Sequence, residues 1–350
     1  MESGSGLAVD DESCSLFPRR LDKQAMPVKI RTRAYCNGTL ENADFPVGEV
    51  SDYLERDGVI VWVDFCGPSA EDLHELADEL GLHELAIEDS LESHQRPKLD
   101  HYATHRFLVC HAVTLDEDGH LGVAEINAFI NEHWLVTVRK NEDFDLASVL
   151  ARWDRSLDLA TYGVGFLLYG LLDVVVDGYF DTVQSFDEFY DTISEGIFSE
   201  KPIPPSEQKH WFQTRQSLIR FHRLVVPMRE AVSGLMRREH STIAHDLYPY
   251  YQDVYDHVLR VTESTDALRD LIATIVETNL SLRDYRTNQI AKQVTSWAAI
   301  IAVPTLITGW YGMNVPYPGF GQSWGVWLAA ALVVVVSGGL YVVFKQKEWL

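Results

Sequence analysis

The chain has 350 residues, room for two or three domains, and 46% of them are hydrophobic. Its formal net charge of -23 comes from 29 basic and 52 acidic side chains. A body this acidic excludes nucleic acid as a partner, since phosphates need Lys and Arg, and fits either solubility alone or attraction for cations.

Residues 1–25 are rich in Ser, Asp and Glu and lack a continuous apolar stretch. They read as a mobile tail without a cleavable signal peptide. The four cysteines, Cys14, Cys36, Cys66 and Cys110, form no Cys-x-x-Cys pair. They provide neither a zinc site nor a disulfide framework, and they suit a reducing cytosol.

Residues 26–150 alternate between strand and helix signals. Apolar or alternating runs at 28–36, 59–65, 105–113, 123–130 and 133–140 predict strands. Between them, SAEDLHELADELG (69–81) has helical spacing behind a Ser cap. The pattern predicts an α/β cytosolic domain. Beyond Asp143 the strand signals stop, and residues 151–248 read as a helical segment broken by Pro202, Pro204 and Pro205.

From Pro249 to Gly312 only Pro304 interrupts the chain, so a stalk helix over 249–312 would be roughly 95 Å long at 1.5 Å per residue. Val254, Val258, Val261, Leu268, Ile272, Ile275 and Leu282 recur in steps of four and three, with Thr265 and Asn279 as polar interruptions. This coiled-coil-like seam predicts an oligomer around a central axis.

The stalk continues into VTSWAAIIAVPTLITGW (294–310), and WGVWLAAALVVVVSGGLYVVF (324–344) follows after a short loop. Both runs are uncharged and close to the ~20 residues that cross a bilayer. The membrane part of the first helix is expected at about 294–312, the loop at 313–323, and a basic tail at 345–350. The loop has no Lys or Arg, whereas Lys292, Lys345 and Lys347 flank the far ends of the helices. The positive-inside rule places both termini in the cytoplasm of a multi-pass protein of the cell (inner) membrane.

One face of the first membrane helix reads Asn288, Ala291, Thr295, Ala298, Ala302, Thr305, Gly309 and Gly312, all small or polar. Periodicity alone leaves two readings, close helix packing or the lining of a narrow hydrated path. Enzyme chemistry finds no support. His74-Glu75 and His83-Glu84 begin like zincin helices, but Asp78 and Ile87 stand where the second His is needed, and there is no Walker loop.

Tyr311-Gly312-Met313-Asn314, between two C-terminal hydrophobic helices, resembles the Gly-Met-Asn signature of the CorA-type magnesium transporters. The tail FKQKEWL (344–350), Ile87-Glu88-Asp89 with His94-Gln95-Arg96-Pro97-Lys98, Asp253-Val254-Tyr255-Asp256-His257 and the run 167–180 are also similar to that family. The resemblance covers about residues 26–350. It implies a funnel-shaped homopentamer that conducts chiefly Mg²⁺, and also Co²⁺, through one pore lined by the first membrane helices. Asn314, in Gly312-Met313-Asn314, would stand at the outer mouth. Thr305 and Gly309 would contact the hydrated ion lower down, and Asn288 would mark the inner mouth. The family's gate often carries bulky apolar residues where this chain has Ala291 and Ala302, so the constriction rests mainly on Val294. Glu88, Asp89 and Asp253 match acids that bind regulatory Mg²⁺ and hold the channel shut. The same scaffold could take Zn²⁺, Co²⁺ or Ni²⁺, but soft-metal selection favours Cys or His, and neither span has any. A membrane-anchored acidic sensor or scaffold that conducts nothing is a third reading, against which the stripe speaks.

Overall fold

A computed structural model describes residues 28–197, 204–237, 243–314, 316–317 and 319–350. The tail expected over 1–25 lies outside the described residues. The chain divides into two compact units.

The first unit takes in the chain up to Thr114, Gly122–Tyr179 and Leu224–Leu259. Its elements are β1 (Lys29–Cys36), β2 (Thr39–Ala43), α1 (Val50–Leu54), β3 (Val59–Cys66), α2 (Ala70–Leu80), α3 (Glu84–Leu91) and β4 (Lys98–His101). Next come β5 (Arg106–Leu115), β6 (Leu121–Ile130), β7 (Trp134–Arg139), α4 (Leu146–Arg155) and the start of α5 (Val164–Ile197). The strands form one seven-stranded sheet in the order β2-β1-β3-β7-β6-β5-β4. At its centre β3 and β7 run parallel, from Val61 opposite Trp134 to Cys66 opposite Arg139. β1 and β6 flank this pair antiparallel.

All eight residues of β3 are buried, as expected of a strand covered on both faces. On one face Val61, Val63, Phe65, Phe107 and Phe129 join Leu73 and Leu76 of α2 and Ala86 of α3 in a single apolar core. The α2 helix starts where the sequence says it should. The Ser69 side chain accepts from the Asp72 backbone N–H, and the Asp72 carboxylate accepts from the Ser69 N–H, a complete capping box. On the opposite face Trp62 meets Trp153 of α4 edge to face, with ring centroids 4.9 Å apart. Beside them Arg139 donates from Nε and Nη2 to the buried carboxylate of Asp64, at 3.0 and 2.6 Å. Two long helices are pinned by buried tyrosines. Tyr179 of α5 donates to the His111 carbonyl at 2.8 Å, and Tyr251 of α7 (Tyr248–Tyr311) donates to the Gly165 carbonyl at 2.8 Å.

The second unit holds Leu115–Leu121, Phe180–Arg223 and Arg260–Leu350. It contains the end of α5, most of α6 (Pro205–Leu235), most of α7 (Tyr248–Tyr311) and α8 (Ser323–Gln346). The Ser217 hydroxyl of α6 donates to the Gly119 carbonyl at 2.7 Å and accepts from the Leu121 N–H at 3.2 Å. His222 of α6 lies 3.0 Å from Asp266 of α7, which also accepts from Arg269 at 3.1 Å.

The seam of α7 has a different use from the one expected of it. Val254, Val258, Val261, Thr265, Leu268, Ile272 and Ile275 are all buried within a single chain. Their four-three spacing therefore serves packing inside the protomer, and it does not by itself argue for an oligomer. The seam ends at Ile275. Asn279 and Leu282 are half-buried, and Leu280, Tyr285 and Ile290 are 56–61% exposed.

Candidate cation pathway and carboxylate site

Past Ile290 most residues of α7 are exposed. Two helices are long and apolar enough to cross a membrane, with mean hydropathies of 1.4 and 2.4 over their most apolar stretches. Each hides one face. On α7, Ser296 is buried and Ile300, Val303, Pro304, Ile307 and Tyr311 are half-buried. On α8, Ala329, Val333, Ser337, Leu340 and Phe344 are half-buried in steps of four and three. Gln293 and Trp297 share a cavity wall with Tyr341 and Lys345, so the two helices are neighbours at that end.

Asn288, Ala291, Thr295, Ala298, Ala302, Thr305, Gly309 and Gly312 are all exposed. In a helix of 3.6 residues per turn they occupy the side directly opposite the hidden face. The stripe is therefore not used for packing within the protomer. Val294, 64% exposed, lies at its edge, while Ile301 and Leu306, 65% and 75% exposed, lie on its flanks.

The polar members of the stripe offer acceptors. The Thr305 hydroxyl donates its proton to the Ile301 carbonyl at 3.0 Å, which leaves only its lone pairs facing outward. A hydrated divalent cation presents water hydrogens, so it needs acceptors of this kind. At the end of α7 the Gly312 N–H closes on the Thr308 carbonyl at 2.8 Å, and the Met313 N–H on the Trp310 carbonyl at 3.3 Å. Gly312, Met313 and Asn314 are all exposed just beyond this turn, with the Asn314 amide free of the helix ladder. Tyr311 and Tyr317 pack edge to face at 4.9 Å and brace the loop that follows.

The expected regulatory acids sit elsewhere, in the first unit. Glu88 is exposed on α3. Asp89, one residue on, is engaged at both oxygens: Lys98 Nζ lies 2.6 Å from Oδ2, and the Gln95 side-chain amide donates to Oδ1 at 3.2 Å. The same ammonium is 2.7 Å from Asp100. Burial works against its charge, but the two carboxylates prevail and hold the Lys98 pKa above its ordinary value. Asp253, on the first turns of α7, is exposed and lies 3.6 Å from His257 Nε2.

Carboxylate oxygens are the donors Mg²⁺ takes, and in that respect the three acids fit. Among the described residues, however, no three His, Cys, Asp or Glu side chains converge on one point.

No local pattern points to Lys98 as the partner of Asp89, nor to what holds Lys98 in place. Glu125 on β6 is nearly buried, its side chain 9% exposed. It accepts from the backbone N–H groups of His94 and Gln95 at 3.0 and 3.2 Å. Lys140 lies 3.4 Å from its other oxygen and donates to Ser93 at 3.3 Å. These contacts pin the loop in a shape where His94 has φ +74°, uncommon for a non-glycine residue. Burial tends to raise the Glu125 pKa. The His111 ring, with Nε2 3.8 Å away, a hydrogen bond from the Asn127 amide at 3.2 Å and the charge of Lys140 outweigh it and bring the value down to about 2.

Two apolar candidate spans that follow an acidic α/β unit in the chain, with exposed acceptors along one helix face, fit a cation-transport class. Residues 57–346 match the family model described as CorA-like Mg2+ transporter protein, and the chain belongs to that family. It is 28% identical over 294 residues to the cobalt/magnesium transport protein CorA of Thermotoga maritima, covering 83% of each chain. It is 30% identical over 289 residues to the putative metal ion transporter YfjQ of Bacillus subtilis, covering 82% of this chain and 89% of that one. The solved CorA magnesium transporter of Methanocaldococcus jannaschii shares its fold with a TM-score of 0.73 at 21% identity, over 91% of this chain and 98% of that one. The family is one of divalent-cation transporters, and the chain is a membrane protein with two candidate spans.

Proposed function

We propose that this chain is a channel-type transporter of divalent cations, chiefly Mg²⁺ and also Co²⁺, and that it works as a homopentamer in the cell membrane. The observation that carries this reading is the exposed stripe of α7, small and polar along its length and opposite the half-buried face of the same helix. Five such faces around an axis would enclose a path of Thr, Asn and glycine-backbone oxygens, while Ile301 and Leu306 would meet neighbouring helices or lipid.

Asn314 with Gly312 and Met313 forms the outer mouth, Gly309 and Thr305 the hydrated path, and Asn288 the inner end. Val294, with Ala291 and Ala302, forms the constriction. Both termini lie in the cytoplasm, with Lys292, Lys345 and Lys347 at that surface. Glu88, Asp89 and Asp253, contributed by adjoining protomers, would hold regulatory Mg²⁺, which offsets repulsion between carboxylates and favours the closed state that binds it. The names of the relatives support Mg²⁺ and Co²⁺ as cargo, and the absence of Cys and His from both spans weighs against a soft metal.

The test is Mg²⁺ flux into proteoliposomes, with Co²⁺ as competitor. Wild type should conduct and Asn314→Ala should not, although it still assembles. Normal flux through an assembled Asn314→Ala protein would remove the outer mouth from the account.

A further inference from the structure

The loop Ser93–Pro97 carries more than a turn between α3 and β4. Its backbone is held by Glu125, and it delivers two side chains to one carboxylate: Gln95 to Asp89 Oδ1 and, just beyond the loop, Lys98 to Asp89 Oδ2. The Lys98 ammonium stands 2.6 and 2.7 Å from single oxygens of Asp89 and Asp100, between two carboxylates as a bound cation would stand. All three side chains are 26–38% exposed, so the position is reachable from solvent. Among the described residues, Lys98 is the one cation within ion-pair distance of Asp89.

We infer that Lys98 is a tethered ammonium that competes with Mg²⁺ for Asp89 and so sets how much Mg²⁺ the regulatory site requires. The inference rests on the proposal that Asp89 takes part in that site. With both oxygens of Asp89 already engaged, binding of a divalent ion is an exchange: the ion gains the carboxylate and Lys98 swings out to solvent on its flexible stem. The tether makes the competitor permanent, and Glu125 keeps it within reach by fixing the loop backbone. A channel whose closing acid is neutralised in this way stays unliganded until Mg²⁺ is abundant. Asp100 strengthens the device, because it holds Lys98 in place now and adds its own negative charge to the site once Lys98 is gone.

The experiment is limited proteolysis of the full-length, detergent-solubilised protein across a MgCl₂ series, in wild type, Lys98→Met, Lys98→Arg and Asp89→Asn. Lys98→Met keeps the aliphatic stem and removes the charge. Its midpoint for Mg²⁺ protection should fall about three- to tenfold, a partly screened unit charge at close range. Lys98→Arg should return the midpoint towards wild type. The melting temperature without Mg²⁺ reports any purely structural loss, which would lower it and leave the Mg²⁺ midpoint where it was. An unchanged or raised midpoint in Lys98→Met overturns the competitor role and leaves the Asp89 site standing. A wild-type midpoint in Asp89→Asn overturns the site and the competitor together.

Discussion

In the sheet domain Val61, Phe107 and Phe129 are fully buried, whereas along the far half of α7 Leu280, Ile290, Ile301 and Leu306 are 56–75% exposed. Both regions are built of similar apolar side chains. The first closes on itself, strand against strand and helix against sheet, and needs nothing further. The second leaves open what a water-soluble chain must cover, since large apolar surface seeks burial at about 25 cal/mol per Å². A bilayer and further copies of the chain are its natural cover. The change of regime falls within one helix, between Ile275, buried in the protomer, and Leu280, which is not.

That boundary can be broken by mutation. Ile272→Ala should destabilise the helical unit by about 2–5 kcal/mol, because it opens a cavity inside the single chain. Leu280→Ala should cost under about 0.5 kcal/mol in the dissociated protomer. Denaturant unfolding in dilute detergent checks both. A large loss at Leu280 would move the boundary further along α7.

The sheet domain should also be sensitive to acid in a way the exposed helix is not. The Glu125 pKa lies at about 2 in the fold, below its ordinary 4.5. Its contribution is therefore complete above pH ~4.5 and is lost as pH falls towards 2, in total about 3 kcal/mol. Burial also pushes His105 down to about 4, so its share is lost earlier, as pH falls from 6.5 towards 4. Glu125→Gln should flatten the lower limb of the stability profile, followed by tryptophan fluorescence, and leave the upper limb in place. A profile with both limbs unchanged would show that Glu125 does not anchor the loop.

The same contrast explains what was legible in the sequence. The runs that became β3, β5, β6 and β7 announce themselves because buried strands carry dense β-branched and aromatic residues. β2 (TLENA) and β4 (KLDH) are short edge strands with little apolar pattern, and α3 is only eight residues long. Four-three spacing on α7 was visible, but the spacing is the same whether the partner helix belongs to the same chain or another. Glu125 sits in an alternating strand where a polar residue reads as solvent-facing, and only the loop folded over it makes it internal. Lys98 meets Asp89 because α3 and β4 are brought together in space, which no local pattern records. The stripe was legible as small and polar, yet packing and conduction require the same small residues. Their exposure opposite the hidden face is the information the fold adds.

The most direct test of that stripe is a paired flux measurement. Thr305→Leu places a branched apolar group on the exposed acceptor face, repeated in every subunit, and Leu306→Ala trims the neighbouring flank. Proteoliposomes with Thr305→Leu should lose Mg²⁺ uptake, while Leu306→Ala should keep most of it. If the two variants conduct alike, the stripe is a packing surface and the pathway proposed along α7 is wrong.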